Sequence, residues 1–248
     1  MRYCPLLCLL ALLACDPIGI DPPNPNVYDP AVFETAFREI ELRPGVRAVS
    51  LNNGFTATDF MLHVPTDTST LRPLVFALHW WGDDDAYRDY FDCLVVPGLD
   101  TLDAFIIAPR DDEDNWQTTL NLFNVSELRS LALQHWPVHP DRIVVTGYNH
   151  GGIGSFNYAT NYGELFDAAI PVAGRYAPTT RINLPVLLLH GENDNRFPVA
   201  GTRQELANAQ SYGTDIELRV VPDLGHGDGC AYAPALHEAA LWLLEEVW

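Results

Sequence analysis

The chain has 248 residues, 48% of them apolar, enough for a sizeable core in one large domain or two small ones. Its formal charge of −19 sets it against nucleic acid and anionic membrane surfaces, since both would repel it. The basic residues are all arginine, which excludes Schiff-base and P-loop chemistry that needs a lysine.

In chain order the first element is a leader. "MRYCPLLCLLALLAC" places one arginine before an apolar stretch from Leu6 to Ala14, too short to span a bilayer, which takes roughly 20 residues. It closes on Leu12-Leu13-Ala14-Cys15, which resembles a bacterial lipobox. Residues 1–15 are therefore expected to be a lipoprotein-type signal peptide with Cys15 as the lipidated residue. The bland alternative is an ordinary cleaved leader with a chance cysteine. Residues 16–30 hold five prolines and little hydrophobic patterning, as a stiff tether would. These features imply a lipid-anchored, extracytoplasmic protein of the cell envelope, or a secreted one. Three of the five cysteines lie in the leader. Cys93 and Cys230 remain, either as one disulfide or as two separate buried thiols.

Residues 31–248 read as a single domain. "VRAVSLNNG" and the alternating "FTATDFMLHVP" (55–65) predict an antiparallel hairpin turning at Asn53-Gly54. Continuous apolar runs follow at 73–79, 104–109, 142–147, 167–174, 185–191 and 216–221, the pattern of strands covered on both faces. Helical patterns lie between them, most clearly at 125–136, 199–213 and 234–248. The last carries Leu236, Ala240, Leu243, Leu244 and Val247 on one stripe. The expected fold is α/β: a mostly parallel central sheet with helices on both faces and an antiparallel N-terminal edge. About ten residues separate Gly174 from Pro185, a usual connection length, so no large lid is expected.

In such a sheet the active crevice lies beyond the carboxyl ends of the strands. Those ends carry His79-Trp80-Trp81-Gly82, Asp111 to Asn115, Asn149 in "GYNHGG", Asp194 in "HGENDNRFP" and His226 in "DLGHGDG". Taken in this order the motifs resemble those of α/β-hydrolases, and the chain is similar to small secreted esterases of the polyhydroxybutyrate depolymerase-like and feruloyl-esterase-like kind. The resemblance implies a carboxylic ester hydrolase scaffold with Asp194 as acid and His226 as base. Asn149 then stands where the elbow motif G-x-S-x-G has its serine nucleophile. Glu192 is the rival acid. The oxyanion loop and substrate walls fall to Trp80, Trp81, His150 and Trp116. Trp80 replaces a family glycine, Trp81 serves as a wall or as simple packing, and His79 and His150 are expected to pack.

A carboxamide nitrogen has its lone pair delocalised into the carbonyl, so Asn149 is a donor and not a nucleophile. Thr146 and Ser155 are badly placed to replace it, one in the strand and one inside the helix. Deamidation to aspartate is disfavoured by His150 following. Two functional readings result: an ester hydrolase scaffold whose activity is weak or lost, and a ligand-binding pseudohydrolase. The acidic runs 83–85 and 111–114 are expected on the rim as solvated surface. They lack the glycine-centred loop of a calcium site, and no metal or cofactor is expected. The expected partners are an ester substrate or ligand, small or polymeric, and a membrane touched only through the lipid anchor, with the chain acting as a monomer.

Overall fold

A computed structural model describes residues 28–52, 57–111, 115–175 and 177–248. The leader with Cys15, most of the Pro-rich segment and the Asn53-Gly54 turn lie outside the described residues. Among the described residues no helix is long and apolar enough to cross a membrane.

The first helix, α1 (Pro30–Arg38), has a clear local cause. Asp29 caps it by accepting from the N–H groups of Ala31 and Val32, and proline sits at the first helical position, where no donor is lost. Tyr28 is already anchored: its hydroxyl donates to Glu127, and its ring meets Phe123 edge-on at 4.9 Å. The folded part thus begins before residue 31, and residues 28–30 do not belong to the expected tether.

Strands β1 (Gly45–Asn52) and β2 (Ala57–Val64) pair antiparallel, Gly45 opposite Val64, as the hairpin reading expects. Then come β3 (Arg72–Leu78), a helical stretch, β4 (Phe105–Pro109), α4 (Thr119–His135), β5 (Val138–Tyr148), α5 (His150–Asn161), β6 (Ala168–Val172), β7 (Val186–Gly191), α6 (Val199–Ser211), β8 (Ile216–Val221) and α7 (Ala233–Trp242). The stretch before β4 comprises α2 (Ala86–Tyr90), a π turn over Phe91–Val95 and α3 (Val96–Leu99). All six continuous apolar runs became strands. The sheet order is β1-β2-β4-β3-β5-β6-β7-β8, with β2 antiparallel to both neighbours and the other pairs parallel.

The alternation of side chains along a strand divides the core in two. Leu74, Phe76 and Leu78 of β3 join Phe33, Phe37, Leu128 and Phe156 on one face. Val75 and Ala77 join Tyr90, Leu94, Leu236 and Leu243 on the other. Both faces are therefore covered by helices, which is why these strands read as unbroken apolar runs. Two expectations shift in detail. Helix α4 starts at Thr119, where Thr118 caps it by accepting from Asn121 N–H, six residues earlier than the pattern suggests. Leu244 leaves the expected α7 stripe and is 41% exposed, because the helix widens into a π turn over Leu243–Val247 and loses its 3.6-residue register.

Candidate active site

Strand β5 ends at Tyr148, and α5 begins at His150. Asn149 alone makes the turn between them, at φ 54° and ψ −106°. This is the strained elbow that the sequence implies, and asparagine tolerates positive φ better than most residues. The turn is as tight as it is because glycines flank it. A Cβ on Gly147 would lie 2.2 Å from the Gly151 carbonyl oxygen, and one on Gly151 only 1.8 Å from that of Leu78. The Asn149 N–H donates to the Val172 carbonyl at 2.9 Å, which pins the turn to β6. Its side chain makes no capping bond to α5.

Asp194 follows β7 and is buried. Its Oδ1 accepts from the N–H groups of Arg196 (2.9 Å) and Phe197 (2.7 Å). Its Oδ2 accepts from His226 Nδ1 at 2.8 Å. A carboxylate can only accept, so Nδ1 carries a proton, and in the neutral tautomer the lone pair lies at Nε2. That Nε2 is buried and has no hydrogen-bond partner among the described residues. The rival Glu192 is exposed to solvent. His226 and Asn149 line one cavity of about 550 Å³ with Trp80, Trp81, Tyr148 and Asp228. The base and the elbow residue expected from sequence thus line one crevice, with the expected acid buried behind the imidazole.

Further residues hold this geometry, and among them the sequence singles out only Cys230 and its partner Cys93, which take the disulfide alternative and not that of separate thiols. Tyr148 donates its hydroxyl to the His226 carbonyl, and burial pushes its phenol well above the usual range, so it stays a donor. His190, the histidine of the H-G-x-x-D motif, lies in the core. Its Nε2 is 2.6 Å from the Phe197 carbonyl and 3.5 Å from Asp194 Oδ2. Phe197 in turn stands edge-on to the His226 ring at 5.1 Å. Cys230, four residues after His226, lines the same cavity and is joined to Cys93 in the π turn, with Cα atoms 5.2 Å apart. Asp228 Oδ2 closes the loop by accepting from Gly225 N–H at 2.7 Å.

The expected walls divide. Trp80 and Trp81 border the cavity, Trp81 with 67% of its surface exposed and Trp80 edge-on to Tyr148 at 5.9 Å. Trp116 does not: it is 1% exposed, and its indole N–H donates to the His79 carbonyl at 2.9 Å. The loop after β4 turns the indole inward, so Trp116 packs against the His79 backbone and does not line the cavity. His150 is likewise absent from the cavity lining. His79 packs as expected, with Nδ1 2.7 Å from the Trp80 carbonyl and Nε2 accepting from Asp111 N–H at 3.1 Å. Asp111 is accordingly buried against His79 and is no part of an acidic rim. Asp83, Asp84 and Asp85 are exposed, and Asp84 pairs with Arg110 at 2.6 Å. Thr146 Oγ1 donates to the Ile170 carbonyl and Ser155 Oγ to the Gly152 carbonyl, both fully buried, so neither hydroxyl reaches the cavity.

Comparison with known proteins agrees with this architecture. A thermostable esterase matches with a TM-score of 0.65 at 22% identity, over 81% of this chain and 62% of its own. A fluorophosphonate-binding serine hydrolase of Staphylococcus aureus matches at 0.67 and 12%, over 82% and 100%. A ferulic acid esterase matches at 0.66 and 14%, over 82% and 98%. At these identities the likeness establishes the α/β-hydrolase fold alone. Two curated relatives, from Salmonella typhimurium and Escherichia coli, are provisionally named carboxymethylenebutenolidases and are 32% identical over 117 residues. That alignment takes in 40% of this chain, which spans about two fifths (41%) of their length. The family model for dienelactone hydrolases matches residues 112–243, more than half of the chain and the whole interval from the elbow through Asp194 to His226. The chain belongs to the dienelactone hydrolase family.

Proposed function

We propose that the protein is a cell-envelope lipoprotein built on a carboxylic ester hydrolase scaffold, its hydrolytic rate held low by asparagine at the nucleophile position. One observation carries this reading. His226, with Nδ1 tied to Asp194 and Nε2 unpartnered, opens onto the cavity that Asn149 also lines. The arrangement supports His226 as a base oriented by Asp194, and the hydroxyl they would serve is missing. Backbone N–H groups of the Trp80-Trp81 loop and of His150 stand in for the oxyanion hole on this reading, as in the elbow architecture generally. An ester carbonyl fits such a site, and membership of the dienelactone hydrolase family and the likeness to a ferulic acid esterase support lactones and esters of aromatic acids as the ligands to try first.

The Asn149→Ser variant tests it. Hydrolysis of short-chain p-nitrophenyl esters is expected to rise by at least ~10³-fold, because a nucleophile and its general base act as a unit. Equal and substantial rates in the two proteins would mean that the nucleophile lies elsewhere. The absence of a hydroxyl also supports a second reading, in which the pocket holds an ester or lactone and never turns it over. Anchoring through Cys15 is part of the proposal: Cys15→Ser is expected to move the protein from the membrane fraction to the soluble one, and unchanged fractionation would remove the anchor.

A further inference from the structure

We infer that the chain as it stands hydrolyses neutral aryl esters by a single displacement, in which His226 activates water directly and no acyl-enzyme forms. The inference rests on the hydrolase reading of this pocket and goes beyond it by naming the nucleophile and the substrate class.

The base is ready for this role. Asp194 accepts a hydrogen bond from Nδ1 at 2.8 Å, so in the neutral imidazole the lone pair lies at Nε2, a buried atom with no partner among the described residues. A buried, unpartnered nitrogen is costly to maintain, and a water satisfies it where the site is polar and roomy. The cavity of about 550 Å³ lies beside the ring, and Asn149, which also lines it, offers both a donor and an acceptor to a water; Nε2 itself is covered, so the ring or a neighbouring side chain shifts for that water to reach it. In a serine hydrolase the same imidazole activates water only after the acyl-enzyme has formed. With asparagine at the elbow the first half of that cycle is closed, while the chemistry of the second half keeps its parts.

The step balances without any further reactant. Water loses a proton to Nε2 as its oxygen bonds to the ester carbonyl carbon, and the carbonyl π pair moves onto oxygen. When the tetrahedral species collapses, the bond to the leaving oxygen breaks with its electron pair. The proton held on Nε2 then passes to that oxygen, leaving the free acid and the alcohol. An aryloxide is a weaker base than hydroxide, so it departs in preference, whereas an alkoxide does not. The aromatic rings of Trp80, Trp81 and Tyr148 line the cavity and suit an aryl group. The charged residue among those lining it is Asp228, on a chain of net charge −19, which disfavours an anionic acyl group.

The test uses the full chain with p-nitrophenyl acetate. Release of nitrophenol is expected to be linear with no burst, above the rate in buffer, with no acetyl adduct in the intact mass and no labelling by a fluorophosphonate. Both His226→Ala and His226→Gln, each shown to be folded by circular dichroism, are expected to lose ~10²-fold or more of that rate. The anionic p-nitrophenyl succinate is expected to react several-fold more slowly than the acetate. A burst or an acetyl adduct in the unaltered chain overturns the single displacement, as does a rate unchanged in His226→Gln. Equal rates on the two esters overturn the neutral substrate. If the unaltered chain shows no rate above buffer while Asn149→Ser is active, this inference falls and the hydrolase reading stands. If Asn149→Ser is inactive as well, the hydrolase reading falls.

Discussion

Asp194 has both of its oxygens engaged: one holds the N–H groups of Arg196 and Phe197, the other the imidazole of His226. The backbone bonds fix the carboxylate before any substrate arrives, so the imidazole is oriented at no cost during reaction. Substituting the acid by its amide is therefore a test of orientation more than of charge. An asparagine at 194 can keep the backbone bonds with its carbonyl oxygen, but its NH₂ then faces Nδ1 and demands a lone pair there. The imidazole must switch tautomer, and Nε2 becomes protonated and useless as a base. In the Asn149→Ser background, Asp194→Asn is expected to lower kcat by ~10³–10⁴-fold with little change in KM. A loss within tenfold in steady-state kinetics would show that Asp194 does not orient the base.

The elements around this site differ in how openly the sequence announces them. Strands β3 to β7 were legible because their cores are buried on both faces, and burial on both faces writes an unbroken apolar run; β8, at the sheet edge, is mostly half-buried and shows the pattern more weakly. The acid and base were legible because both close such runs, within glycine-bearing loops. Helix α1 escaped notice because its signal is a single Asp-Pro cap inside a proline-rich stretch. The stretch from α2 to α3 escaped because a π turn breaks its period and a proline enters α3. Trp116 was misplaced for another reason: a loop's composition does not say which way it folds back, and only the His79 carbonyl above it explains the inward indole. Helix α5 shows what sequence does convey. Its Gly151 has no room for a methyl group, since a Cβ would sit 1.8 Å from the backbone of Leu78, which cannot yield as a side chain tip can. Gly151→Ala must push α5 off β3 and distort the elbow. We expect about 3 kcal/mol or more of destabilisation, seen as a fall in Tm of roughly 6–12 °C. A Tm unchanged within 2–3 °C would mean that α5 does not pack this closely.

At the scale of the whole molecule, the base is the most loosely rooted part of the site. Asn149 is fixed between a strand and a helix, and Asp194 is fixed by its own loop. His226 lies in a segment with glycines at 225, 227 and 229, beyond the end of β8. The links that hold that segment include Asp194 at one ring nitrogen, Tyr148 at its carbonyl, and the Cys93–Cys230 bond four residues on. The disulfide joins two distant parts of the sequence, separated by 137 residues, and ties the loop to the π turn beside α2. A crosslink that closes so long a loop removes much freedom from the unfolded chain, which is worth about 2–5 kcal/mol. The double substitution Cys93→Ser with Cys230→Ser should therefore lower Tm by roughly 5–15 °C. It should also release the loop locally. Amide exchange over residues 225–232 is expected to speed up more than exchange in β5 or β7, because those strands are paired on both sides. If exchange instead rose uniformly across the domain, the bond would be a global staple only, and the position of His226 would owe it nothing.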